Sequence, residues 1–261
     1  MRPNSSKPAL PQPAAPPPPQ DSGSELRMSL LDHLNELRSR AFKAAVALAL
    51  GFGVGVLTAG PVLEFLKRPY GANQFIALGP TDSIVAVFRV ALLIGGILAI
   101  PVITYQLLMF IIPGLTTRER RIILSALPAI FLLFLLGVLF TWAILIPPAI
   151  GFFNNFMPEL FIAQWTADRY LGFVTALLFW MGVAFEAPLI FFILSLLGVV
   201  TPRALIRNWR VAVVGSAVAA ALITPTVDPI NMMLVMGPLL ALYTLSIILV
   251  FIGRRLARLS G

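Results

Sequence analysis

Four of the eleven carboxylates in this chain sit where a negative charge has consequences. Glu36 lies in His33-Leu34-Asn35-Glu36-Leu37-Arg38-Ser39-Arg40, just before the first long apolar run, and Glu119 lies in Thr116-Thr117-Arg118-Glu119-Arg120-Arg121, just before another. Glu36 precedes Arg40 by four residues, the spacing of a helical ion pair contributing a few tenths of a kcal/mol. Glu119 follows Thr116 by three, the spacing of a capping box that opens a helix. Each has a binding role as its alternative, and spacing leaves both open. Glu186, in Phe185-Glu186-Ala187-Pro188, stands inside an apolar run. A carboxylate there costs several kcal/mol unless protonated, paired or hydrated, so it is either a functional site or a group bonded to backbone near Pro188. Asp228, between Pro225 and Pro229, suits a turn cap.

Other chemistry is missing. There is no H-E-x-x-H, no G-x-S-x-G, no phosphate-binding glycine loop and no cysteine, and His33 is the only histidine. Ser-His catalysis, a histidine metal site and a thiolate site have no residues to use. The chain reads as a protein that is not an enzyme and needs no cofactor.

The elements that must position these carboxylates are membrane helices. Of 261 residues, 59% are hydrophobic and 11% charged, against roughly 25% charged in soluble domains. Apolar runs of about 20 residues can cross the hydrocarbon core as helices, and the lack of period-two alternation excludes a barrel. The net charge of +8 does not mark a nucleic-acid binder, because the basic residues cluster at the ends of apolar runs.

Residues 1–27 are proline-rich, with Pro16 to Pro19 consecutive, and are expected to be disordered; Met28 is a candidate initiator. An amphipathic surface helix over 29–40 leads into six spans at about 41–60, 84–112, 122–146, 169–197, 211–223 and 232–252, with a basic tail at 254–261. Residues 62–67 suit a short interfacial helix. Pro101 and Pro188 predict kinks, Pro147-Pro148 is expected to end span three and open a loop to about residue 168, and spans five and six are expected to be short. Thr201-Pro202 reads as an N-cap followed by proline at the first helical position. Arg38, Arg40 and Lys43, then Arg118, Arg120 and Arg121, then Arg203, Arg207 and Arg210, then Arg254, Arg255 and Arg258 all fall on one side of a six-span scheme, which predicts cytoplasmic termini. The fold class is an all-α integral membrane protein.

His33-Leu34-x-Glu36-Leu37-Arg38-x-Arg40, Phe110-x-x-Pro113-Gly114-Leu115 with Glu119-Arg120-Arg121, and Phe185-Glu186-x-Pro188 together resemble the TatC family of the twin-arginine protein translocase, over about residues 28–254. The resemblance implies a concave helical bundle in the cytoplasmic (inner) membrane that binds twin-arginine signal peptides of folded cargo at its cytoplasmic face. It implies single-span TatA/TatB-type partners, self-association within the receptor complex, contact with membrane lipid and proton-motive-force-driven export, without nucleic acid. Carboxylates accept planar guanidiniums through paired hydrogen bonds, which agrees with Glu119 and Glu36 as partners of the arginine pair. By the same resemblance Phe110 meets the flanking hydrophobic residue, and Arg38 orients the carboxylates or contacts peptide backbone. Glu186 faces the concavity, and Thr224 marks the docking site of a partner helix, with Met232 where a polar contact residue is expected. Asp82 stands where a Glu is common and caps the start of span two.

Two other functions remain open from the residues: a proton-coupled secondary transporter of a small solute using Glu186, and a membrane scaffold in which Glu36 and Glu119 only finish helices. The transporter is disfavoured by the absence of self-similarity between the halves and by the few polar groups at mid-membrane depth.

Overall fold

The computed structural model describes residues 22–71, 75–111, 117–160, 164–196, 198–224 and 228–259, without the side chains of 22–33, 111, 117–120, 122 and 256–259. The proline-rich stretch 1–21, the hairpin residues Pro113 to Thr116 and the end of the basic tail lie outside the described residues. Contacts divide the chain into two units, residues 1–39 and 40–261.

The described part of the first unit is helical. Helix α1 (Ser22–Lys67) begins inside the stretch expected to be disordered, because the last proline of the tail is Pro19 and residues 22–27 contain none. Leu34 and Leu37 are exposed on it.

In the second unit α1 carries both the first span and residues 62–67, passing through Pro61 without ending. Its apolar face is turned outward: Phe42, Leu50 and Leu57 are 70%, 69% and 85% exposed, the arrangement expected where lipid replaces water. Its inward face is made of small residues. Helix α2 (Asp82–Ile111) crosses it so closely that a Cβ on Gly51 would stand 2.7 Å from the carbonyl oxygen of Gly95, and one on Gly55 would collide with the carbonyl oxygen of Ala91. Gly51-x-x-x-Gly55 thus does what small-residue pairs do in membranes, letting backbones approach where burial of apolar area gives no gain. At the start of α2, the Asp82 carboxylate accepts hydrogen bonds from the backbone N–H groups of Leu78 (2.9 Å) and Gly79 (3.0 Å) in the preceding loop, so it ties the loop to the helix where a cap of the helix's own first turn was expected.

Helix α3 (Thr117–Phe140) does not stop at Pro147-Pro148. It passes through a π turn, Thr141–Leu145, into α4 (Ile146–Asn154), so that residues 123–154 form one apolar helical run. The Ile146 N–H reaches back five residues to the carbonyl of Thr141. The wider turn absorbs the missing proline donors, and the prolines then occupy the first turn of α4, where an N–H is not needed.

Helix α5 (Ala167–Leu196) is central, packing against α2, α3 and α8 with Tyr170, Phe173, Val174, Leu177 and Met181 fully buried. Tyr170 donates to the carbonyl of Leu66 at 2.8 Å and packs against the rings of Tyr70, Phe75 and Trp165. Beyond α5 come α6 (Pro202–Arg207), α7 (Trp209–Ile223) and α8 (Pro229–Leu259). Thr201 caps α6 as expected, its hydroxyl accepting from Ala204 N–H at 3.2 Å. Only α7 is short: α8 runs for 31 residues, since it starts at Pro229 and continues through the arginines beyond the apolar run. Five helical segments are long and apolar enough to cross a membrane, with α7 a shorter sixth. Among the described residues there is no strand, only an isolated parallel bridge between Ile76 and Thr166.

The α1–α2 crossing gives a paired expectation. Gly55→Ala should destabilise the protein by about 1–3 kcal/mol through overpacking, whereas Gly53→Ala, where nothing lies within 4 Å, should not. Denaturant titration in detergent micelles measures both, and equal midpoints would refute close backbone packing as the cause.

Candidate functional site

The end of α2 and the start of α3 hold two of the predicted residues. Phe110 is the penultimate residue of α2 and is half-buried; Glu119 is the third residue of α3, in the first helical turn, where the helix dipole favours a carboxylate. The side chain of Glu119 lies outside the described residues, as does the turn between the two helices. What anchors these ends is apolar: Leu108 and Met109 of α2 pack with Ile123, Leu124 and Ile130 of α3 and with Leu189 and Ile193 of α5. The α2–α3 turn therefore leaves a fixed base.

Glu36 and Arg38 lie in the first unit. Glu36 is half-buried and Arg38 exposed. Two residues apart on a helix, they point about 200° from each other around its axis, so they do not share a face.

Glu186 is buried in α5, 7% exposed, and its Oε1 has no hydrogen-bond partner among the described residues. Its turn is held tightly. A Cβ on Gly137 of α3 would stand 2.8 Å from Phe185, and the Phe185 ring packs on Phe140 at 5.2 Å. The backbone bond near Pro188 that offered a purely structural account of Glu186 is not made by this oxygen.

Thr224 and Met232 flank the turn between α7 and α8. Thr224 is buried, and its hydroxyl donates to the carbonyl of Ala220 at 2.8 Å. Met232 is partly buried against the main core. The polar group at the start of α8 is its neighbour Asn231, 1% exposed, whose N–H and Nδ2 both donate to Asp228 Oδ1, at 2.7 and 3.0 Å. Asp228 thus caps α8, as its place in the turn suggested. Asn231 was missed by sequence reasoning, although Asp228-Pro229-x-Asn231 carries the cap-then-proline pattern that could have found it. Arg89 was missed as well: it lies two turns into α2 and pairs with Asp168 of α5 at 2.9 Å. Its signal was an arginine inside an apolar run, which the position of span two placed in the membrane.

This arrangement of helices has counterparts. The family model described as Sec-independent protein translocase protein (TatC) matches residues 32–238. The chain belongs to the TatC family. A TatC relative from Synechocystis sp. is 35% identical over 219 residues, covering 84% of this chain and 86% of that protein. A chloroplastic relative from Oryza sativa is 35% identical, and the chain spans 61% of its length. The crystal structure of a twin arginine translocase receptor, TatC, superposes with a TM-score of 0.76 at 34% identity, covering 85% of this chain and 99% of that one. The chain is accordingly a multi-pass membrane protein of protein transport, a TatC-family component of the twin-arginine translocase.

In this TatC-family fold the Arg89–Asp168 pair joins α2 to α5. With side chains 43% and 32% exposed, a double-mutant cycle of Arg89→Gln and Asp168→Asn should give a coupling of about 1 kcal/mol in unfolding free energy. Additive losses would show that the pair contributes nothing.

Proposed function

We propose that this chain is the receptor subunit that binds twin-arginine signal peptides at the cytoplasmic face and assembles with single-span partners for export of folded cargo driven by the proton motive force. The observation that carries this is the anchoring of two helix ends: the last turn of α2 bears Phe110, the first turn of α3 bears Glu119, and apolar packing holds both against α5. The solved relative named a twin arginine translocase receptor supports the same role.

Glu119 accepts the guanidiniums of the arginine pair, Glu36 contributes a second carboxylate, and Phe110 meets the hydrophobic residue beside them. Arg38, on a different face of α1 from Glu36, contacts the peptide backbone. The arginine sets at residues 38–43, 118–121, 203–210 and 254–258 orient the chain with both termini in the cytoplasm. Glu186 serves a different step from peptide binding, meeting a polar group of a partner helix or hydrating water. Thr224 and Met232 mark where a partner helix docks. The membrane domain covers residues 28–253, between a proline-rich tail and a basic tail.

Binding of a twin-arginine peptide to the protein in nanodiscs tests the reading. Replacing both peptide arginines by lysine, or making Glu119→Gln, should weaken binding roughly ten- to a hundredfold, the worth of hydrogen bonds to a charged group of about 1.5–3 kcal/mol. Glu186→Gln should leave peptide binding unchanged and lower transport into inverted vesicles. Equal binding of the arginine and lysine peptides to the folded protein would refute a guanidinium-reading receptor.

A further inference from the structure

A basic site stands at the C-terminal end of α5. Helix α5 finishes in a glycine-closed turn: Gly198, at φ +81°, donates to the carbonyl of Ser195 at 3.2 Å, and Val199 donates to that of Leu194 at 3.0 Å. The chain then runs through Val200 to the cap of α6. Arg254 of α8 fixes this corner, its Nη2 donating to Gly198 O at 3.0 Å and its Nε to Val200 O at 3.1 Å. Two of the five guanidinium N–H donors are used there and three remain.

Arg254 also lines a cavity of about 490 Å³, together with Thr201, Pro202, Arg203, Phe251 and Arg255. Arg203 is exposed, and the Arg255 guanidinium lies 5.7 Å over the Phe251 ring. No acidic residue occurs in 187–227 or 229–261. Among the described residues none of these three arginines makes an ion pair. Three arginines therefore line one cavity, and among the described residues no carboxylate pairs with any of them.

The depth and surroundings of the cavity select the missing anion. Arg254 and Arg255 directly follow the apolar run of α8 that ends at Ile252, which puts the cavity at the boundary between hydrocarbon and headgroups. Beside it on the same helix Ile248, Phe251 and Ile252 are 53%, 51% and 46% exposed, an apolar wall running into the bilayer. Trp209, also exposed, has Arg210 over its ring at 5.8 Å, a pairing suited to the membrane interface.

We propose that this cavity binds the phosphate of an anionic phospholipid. Arg203, Arg255 and the free donors of Arg254 engage the phosphate oxygens, and the acyl chains lie along Ile248, Phe251 and Ile252. A free phosphate would satisfy the arginines and leave the apolar wall unused. A zwitterionic headgroup would bring its own cation into a site that already holds three.

Native mass spectrometry of the full chain in neutral detergent tests this, with phosphatidylglycerol and phosphatidylcholine as probes. Phosphatidylglycerol should bind more tightly than phosphatidylcholine. Arg203→Gln with Arg255→Gln should weaken it about thirtyfold, from the attraction each arginine exerts at an anionic surface. The equal charge change Arg207→Gln with Arg210→Gln, outside the cavity, should cost less than about threefold. Inorganic phosphate should not displace the lipid. Equal losses in the two double variants, no preference for the anionic lipid, or displacement by phosphate would each overturn the proposal. A second measurement needs no variant: phosphatidylglycerol bearing a diazirine near its glycerol should cross-link the wild-type chain within residues 201–203 or 248–255, and cross-links confined to other segments would overturn it as well.

Discussion

Inside a bilayer there is no water to accept a stray hydrogen bond, and one apolar helix gains little by leaving lipid for another helix. Most features of this structure follow from that pair of constraints. Side-chain hydroxyls on the spans are turned back onto their own helices, as Thr58 is to Val54 O, Thr175 to Leu171 O and Ser246 to Leu242 O. Where the chain must carry Pro147-Pro148, a π turn accommodates the lost donors and the helix continues. Helices are held by fit, with Gly51 and Gly55 against Ala91 and Gly95, because fit is the force left when lipid competes for every apolar face.

Under the same constraints α5 becomes the element on which the others rest. It touches α2, α3 and α8, ties the end of α1 through the Tyr170 hydroxyl, and reaches α2 again through the Arg89–Asp168 pair. Gly182 and Gly137 bring α3 within direct contact of the turn before Glu186. A carboxylate placed in so closely packed a segment cannot escape toward water by a change of rotamer alone. Its Oε1 is one of a few buried side-chain oxygens without a hydrogen-bond partner among the described residues, with those of Gln106 and Asn231 on other spans. Such an exception points to function more than to stability.

Much of this was legible in the sequence, for physical reasons that differ by residue. The spans were readable because hydropathy over about 20 residues is a strong signal, and the caps at Thr201 and Asp228 were readable because capping is local. Three features were not. Pro147-Pro148 looked like a stop, since the compensating π turn has no sequence signature. Span six looked short, because an apolar run measures the hydrocarbon crossed and not the helix, which here continues through Arg254 and Arg255. Arg89 gave no hint of its partner, since Asp168 lies on a distant helix. For the proposed binding site, the sequence placed Phe110 and Glu119 at adjoining helix ends, and the structure adds the apolar cluster of Leu108, Met109, Ile123 and Ile193 that anchors those ends.

On the proposed function, the division between rim and interior carboxylates has an energetic logic. Burying a guanidinium with a carboxylate removes two ions from water, a penalty of several kcal/mol per ion that their attraction only partly offsets. A receptor that must bind and release many cargoes is better served by carboxylates at the membrane surface, where bidentate geometry provides discrimination while hydration keeps the affinity moderate. Glu36 and Glu119, which precede the apolar runs starting at about residues 41 and 122, meet that condition; Glu186, 7% exposed within α5, does not. An arginine drawn to Glu186 would have to shed its water in the middle of a span. On the proposed function the interior carboxylate therefore suits hydrating water or a partner that arrives through the membrane with a polar group already desolvated, which is the situation of a docking transmembrane helix and not of a peptide entering from water.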